Sequence, residues 1–310
     1  MKENLITVII PAYNEEDVIA KAINSVLEST CKNYEIIVVN NGSTDRTKKI
    51  VEEFVRKYPK KIRLLNFNPV TDKEQAKCRG AAFSRNRGVE MAKGGMLFFL
   101  DADDWLREDT LENTVKAFER YDVDFICADR KVNIPKNWRR IFIYHYILFK
   151  DKIALKTKDS KPEIITNKPN YCPYMIKTKK FKEIGGFNEK YYYNEDYEFY
   201  QRLQRLNIST LLSHKISYYT EMGTTWKDFK RLSKNVSKSF MRSSDKWSLI
   251  KIFCQTILFL IFFSLFYLAV FLFLLIKTKD ILLSLAIPFL LIIKRILIIY
   301  YFIKLWGELK

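Results

Sequence analysis

Histidine is nearly absent from this chain: His145 and His214 are the only two in 310 residues. A histidine-rich metal site is therefore excluded, and a bound metal would have to be held by carboxylates and phosphates. Such hard oxygen donors favour Mg2+ or Mn2+. Cysteine is scarce as well. The five present (Cys31, Cys78, Cys127, Cys172 and Cys254) are odd in number and form no CxxC pair. That argues against a disulfide framework and a structural zinc site alike. The N-terminus shows no secretory pattern; its short apolar run, Leu5–Ala12, follows Lys2 and Glu3 and reads as a strand.

Charge is missing altogether from the 25 residues 252–276. A helix needs about 20 apolar residues to cross a bilayer, so this run is long enough. A second apolar region, 281–303, is interrupted by Lys294 and Arg295. It either crosses with those cations near an interface or lies along the surface. The net charge of +18 is not spread evenly: residues 130–182 carry 15 basic against 3 acidic side chains, and residues 227–251 carry 8 against 2. A basic block abutting a membrane helix fits the positive-inside rule and attraction to anionic head groups better than it fits nucleic-acid binding. No nucleic-acid partner is expected. The expected organisation is an α/β domain over 1–226, a basic juxtamembrane segment over 227–251 and membrane-anchoring helices over 252–310. The helices form a hairpin with both ends cytoplasmic, which places the protein at the cell membrane with its α/β domain in the cytoplasm. The aromatic and basic segment Trp138–Phe149 is either amphipathic and surface-lying or a cover on the sheet edge. Residues 152–168 are polar without a period and read as a loop.

The first 130 residues alternate strand and helix signals. Apolar runs at Leu5–Ile10, Glu35–Val39, Ile62–Leu65, Met96–Leu100 and Val123–Ala128 are separated by helical spacing at Glu15–Leu27, Thr44–Tyr58, Ala81–Ala92 and Asp109–Tyr121. Short apolar strands separated by helices make a doubly wound, mainly parallel α/β sheet. Ligands bind such sheets outside the carboxyl ends of the strands. The polar clusters after Ile10, Val39 and Leu100 fall there: Pro-Ala-Tyr-Asn-Glu, Asn-Asn-Gly-Ser-Thr-Asp and Asp-Ala-Asp-Asp.

Asp101-Ala102-Asp103 sets two carboxylates on one turn. Alone they repel a diphosphate; with a divalent cation between them they attract one, and the metal stabilises its departure. The plainer reading is an acidic turn that caps the next helix. Glu195-Asp196 precedes a helical stretch, where Asp196 is either an N-cap or a general base. Lys77, Arg79 and Arg85 either neutralise phosphate oxygens or form a solvated basic face. Gly185-Gly186 reads as a tight turn or helix end.

Taken together, Val8-Ile-Ile-Pro-Ala-Tyr-Asn-Glu-Glu16, Val38-Val-Asn-Asn-Gly-Ser-Thr-Asp45, Ser84-Arg-Asn-Arg-Gly88, Phe99-Leu-Asp-Ala-Asp-Asp104, Gly185-Gly-Phe-Asn-Glu189 and Glu195-Asp196 resemble the family 2 glycosyltransferases, which have a GT-A fold. The resemblance covers roughly residues 5–220. It implies that Pro11, Tyr13 and Glu15 border the nucleoside of a nucleotide-sugar donor, and that Asn40-Asn41 recognise the base. Asp101, with Ala102 beside it, would contact the nucleotide sugar, and Asp103 with Asp101 would hold Mn2+ or Mg2+. Arg79 or Arg85 would help hold the diphosphate. Asp196 would be the base of an inverting displacement, with Gly186 and Glu195 on the acceptor side. The family often has Asp-Asp where this chain has Asn40-Asn41, and a histidine near the position of Tyr218-Tyr219. The implied acceptor is a glycan or a lipid-linked sugar met at the membrane. The competing readings are a polyprenyl-phosphate sugar synthase and an inactive nucleotide-binding membrane scaffold.

Overall fold

The computed structural model describes residues 2–67, 80–132, 163–166, 174–191 and 195–220, with Lys230 and isolated positions between 271 and 300. Lys77, Arg79 and Trp138–Phe149 lie outside the described residues. Backbone contacts divide the chain into two compact units. One comprises Met1–Asn133 with Ser160–Glu221, the other Ile134–Asp159 with Met222–Lys310. All the strands and helices named below belong to the first.

The βα alternation read from the sequence is present: β1 (Lys2–Ala12), α1 (Ile19–Leu27), β2 (Tyr34–Asn41), α2 (Thr47–Lys57), β3 (Ile62–Phe67), α3 (Ala81–Glu90) and β4 (Gly94–Phe99). Then come β5 (Asp104–Leu106), α4 (Thr110–Arg120), β6 (Phe125–Val132), β7 (Glu163–Thr166), β8 (Tyr174–Lys177), α5 (Thr178–Ile184), α6 (Glu195–Arg205) and β9 (Thr210–Thr220). The strands run in the order β3-β2-β1-β4-β8-β6-β9-β5, with β7 added onto β9.

The sheet is mixed rather than mainly parallel. β1, β2, β3 and β4 are parallel. β8 lies antiparallel between β4 and β6, and β5 and β7 pair antiparallel with β9. The antiparallel strands β5, β7 and β8 are three or four residues long, too short to show a period. β7 falls inside the stretch 152–168 expected to be a loop; only its pairing with β9 makes Glu163–Thr166 a strand. Helix α1 starts at Ile19 rather than Glu15: residues 15–18 form a turn, with the Val18 and Ile19 N–H groups both donating to Glu15 C=O.

Every residue of β2 is buried, as both-sided cover requires. Alternate residues serve two cores. Val8 and Ile10 join Ile36 and Val38 under Ile19, Ile23 and Val26 of α1. Ile9, Ile37 and Val39 join Phe99, Phe181, Phe187 and Phe199 on the opposite face. Gly88 lets α3 approach β1: a Cβ there would stand 2.5 Å from Ile9 Cγ2. Gly88→Ala is expected to cost about 1–3 kcal/mol through overpacking, seen as a lowered midpoint in thermal unfolding.

Among the described residues no helix is long and apolar enough to cross a membrane. The expected hairpin over 252–310 falls mostly outside them. The described positions there are helical, and Leu272, Ile276, Ile281, Leu285, Phe289, Ile296 and Tyr300 are exposed.

Candidate active site

Two loops meet at the carboxyl ends of β1 and β2. The Asn14 amide N–H donates to Ser43 Oγ, and Thr44 N–H donates to Asn14 Oδ1 at 2.8 Å. Glu15 N–H donates to Thr47 Oγ1, while Arg46 donates its backbone N–H and its Nε to Glu16 Oε2. Asp45 accepts from the backbone of Glu16 and Thr47. Burial alone would raise the Asp45 pKa, but these bonds and one to the Thr47 side chain outweigh it and hold the carboxyl below the usual aspartate value. Gly42, at φ 75°, makes the turn between β2 and this loop.

Pro11 pairs with Val39, one residue before the β1 ladder ends at Ala12 opposite Asn40, and Tyr13 stands 51% exposed just beyond it. Asn40 and Asn41 close β2, both buried. Asn40 donates to Asn66 Oδ1 at 2.6 Å, while its own Oδ1 is buried with no hydrogen-bond partner among the described residues. Asn66, from the end of β3, was not read from the sequence as a site residue, and nothing in its surroundings marked it.

At the end of β4, Asp101, Asp103 and Asp104 bring carboxylate oxygens within 4.8 Å of one another. Ala102 between them is buried. The turn leads into strand β5 rather than into a helix, with Asp104 N–H closing it on Asp101 C=O, so the helix-cap reading does not describe it. Asp104 is a third carboxylate beside the expected pair. Three clustered oxygen donors without sulfur or imidazole fit a hard divalent cation.

Arg85 of α3 links this turn to the far side of the site. Its Nη2 donates to Asp101 Oδ1 at 2.7 Å and its Nη1 to Glu195 Oε1 at 2.6 Å. The Arg85 side chain is 8% exposed and Glu195 is likewise buried. Burial pushes the Glu195 carboxyl up; Arg85 opposes this, and the neighbouring Asp196 adds to the rise. Asp196 is partly exposed in the first turn of α6, where its Oδ1 accepts from Tyr197 N–H. It is not the N-cap, since Glu195 before it already begins the helix.

Gly185 and Gly186 end α5 in left-handed conformation, at φ 89° and 67°, as helix ends favour. Their loop is pinned from both sides. Asn86 donates to Phe187 C=O and Glu189 and accepts from Phe187 N–H. Arg202 donates to Ile184 C=O and Gly186 C=O while bound to Glu198. Asn86 stood within a motif already noted; Arg202 carried no signal beyond its place on a helix. Asn86, Gly185, Phe187, Glu189, Glu198 and Arg202 line an open depression of about 530 Å3, bordered also by Asn188 and Lys190. It lies beside the glycine loop, and the acidic turn is not part of its lining. Tyr218 is buried in the core, and Tyr219 stacks on Trp105.

Paired loops at the carboxyl ends of β1 and β2 and a carboxylate cluster after β4, set on a mixed α/β sheet, give this domain a GT-A-like architecture. The chain belongs to glycosyl transferase family 2, whose model matches residues 7–184. It is 28% identical to an uncharacterized glycosyltransferase of Haemophilus influenzae over 72% of this chain and 81% of that protein. Glycosyltransferase GlyA of Streptococcus pneumoniae is 34% identical over 41% of this chain, and the match spans only 17% of GlyA. Solved structures share the fold. A mannosyltransferase, PcManGT from Pyrobaculum calidifontis, in complex with GDP-Man and Mn2+, superposes with a TM-score of 0.56 at 19% identity, covering 79% of this chain and 67% of that one. S. aureus TarS 1–349 in complex with UDP-GlcNAc gives 0.52 at 20% identity, covering 80% and 69%.

Proposed function

We propose that this protein is an inverting glycosyltransferase that moves a sugar from a nucleoside-diphosphate donor to a hydroxyl acceptor at the membrane. The observation that carries the reading is the chain of contacts Asp101–Arg85–Glu195. It links the acidic turn at the end of β4 to the start of α6, where Asp196 stands. The donor's nucleoside lies along Pro11, Tyr13 and Glu15. The buried, unpartnered Oδ1 of Asn40 offers an acceptor for a base N–H, with Asn41 beside it. Asp101 and Asp103, with Asp104, would hold a divalent cation, which when bound offsets diphosphate charge and favours the nucleotide's departure. Asp196 takes the proton of the acceptor hydroxyl as its oxygen bonds the anomeric carbon from the face opposite the diphosphate. The C1–O bond to phosphate breaks with its electron pair leaving on the nucleotide, so the anomeric configuration inverts.

The test is a thermal-shift and calorimetric screen of the full chain against UDP, GDP, UDP-GlcNAc and GDP-mannose, with and without Mn2+. Metal-dependent stabilisation by one base series supports the reading. A folded sample that responds to none of them would sink it.

Membrane attachment is part of this proposal. It rests on the 25 uncharged residues 252–276 and on exposed Ile281, Leu285, Phe289, Ile296 and Tyr300, which recur at one-face helical spacing. A lipid-linked glycan is then the fitting acceptor. The full chain is expected to stay with membranes through a 1 M salt wash and to leave them in detergent. Release by salt alone would show a purely electrostatic contact.

A further inference from the structure

We infer that Arg85 is a positioning residue rather than a phosphate clamp: it sets the catalytic base by tying the start of α6 to the acidic turn. The inference rests on the glycosyltransferase reading above. The sequence alone allows Arg85 to hold the diphosphate, but the structure gives its guanidinium other work. Both Nη atoms are engaged by carboxylates from segments 110 and 16 residues away in the chain. The side chain is nearly sealed from solvent, and its guanidinium carbon lies 5.4 Å from the Phe187 ring centroid. A buried cation already held by two carboxylates is poorly placed to meet a ligand entering from solvent.

The three anchored points matter because of what adjoins each. Asp101 belongs to the turn that carries Asp103. Glu195 is the first residue of α6 and precedes Asp196 by one peptide bond. Phe187 belongs to the glycine loop, which the next residue of α3, Asn86, also holds. One guanidinium thus relates the metal-facing turn, the base and the acceptor-side loop. Its planar fork is what allows this: two nitrogens address two carboxylates in fixed directions, which the single ammonium of lysine cannot reproduce. Glu195 has no solvent to fall back on if the fork is lost, so the start of α6 would shift. A displacement of about 1 Å in a reacting group can cost roughly 100-fold in rate.

The experiment compares Arg85→Lys and Glu195→Gln with the wild type in full-length protein. Nucleotide affinity is measured with UDP and GDP in Mn2+. Turnover at saturation is measured as nucleoside diphosphate released from UDP-GlcNAc and GDP-mannose, water serving as acceptor. The expected result is a turnover loss of roughly 100-fold in either variant, with nucleotide Kd changed by less than about threefold, the split that separates positioning from binding. The two substitutions combined should cost little more than either alone, in turnover and in thermal midpoint, because they break one linkage. A weakened Kd with unchanged saturated turnover would make Arg85 a phosphate clamp and overturn the inference. So would additive losses in the double variant. If Arg85→Lys does not fold, Glu195→Gln alone carries the same test. A wild type that binds nucleotide and turns it over, beside equally active variants, defeats only the positioning role. A wild type that neither binds nor turns over any donor defeats the enzyme reading with it.

Discussion

Asp196→Asn is expected to bind nucleoside diphosphate and metal as the wild type does, while transferring sugar about 10²–10⁴-fold more slowly, the range that general-base catalysis contributes. The amide keeps the shape and can still accept the Tyr197 N–H, so α6 should start as before. What it loses is the ability to take a proton. The donor contacts proposed for the β1, β2 and β4 loops do not involve Asp196, which is why affinity and rate should separate. The comparison is turnover at saturating donor against Kd from calorimetry. Near-normal turnover by the variant would remove Asp196 from the role of base and point to another group at the acceptor.

Asp103→Ala should act in the opposite way, on the donor itself. Of the three clustered carboxylates, Asp101 already gives one oxygen to Arg85, and Asp104 is buried beneath the turn. Asp103 is the exposed member. Its removal should abolish the Mn2+-dependent part of the nucleotide thermal shift and bring turnover to background. Fold stability should change by no more than about 0.5 kcal/mol, as for most exposed positions. Asp101→Ala makes a useful contrast, since it also cuts the bridge to Arg85 and should lower the thermal midpoint. A Mn2+ response that survives in Asp103→Ala would place the cation elsewhere.

Much of this site could be read from the chain before any coordinates. The βα units announce themselves because β1, β2 and β4 are buried on both faces and read as mostly apolar runs, while α1 and α2 are amphipathic. Sheet physics then sends the ligand to the carboxyl edge, where Tyr13, Asn40, Asn41 and Asp101 lie. The antiparallel half was not legible. β5, β7 and β8 owe their existence to partners distant in sequence, and a four-residue segment such as Glu163–Thr166 has no period of its own. Nor could the sequence show which way Arg85 faces. Its position on α3 offered a solvated face or a phosphate contact, and the bridge to Glu195 across 110 residues was not among those readings. Asn66 and Arg202 were missed for the same reason: Asn66 acts through Asn40, and the i,i+4 pair of Arg202 with Glu198 gives no hint of its bonds to the Ile184 and Gly186 carbonyls.

The interlocked loops after β1 and β2 constrain how this part of the molecule can vary in length. Five backbone N–H groups, those of Asn14, Glu15, Glu16, Thr44 and Arg46, are each satisfied by a side chain of the opposite loop. Inserting or deleting one residue in either loop would put several of these donors out of register together. A tolerated insertion on one side would therefore need a matching change on the other. The two loops behave as a single mortised joint, and attempts to graft the corresponding loops of another protein onto this domain should exchange residues 13–18 and 40–47 as one piece.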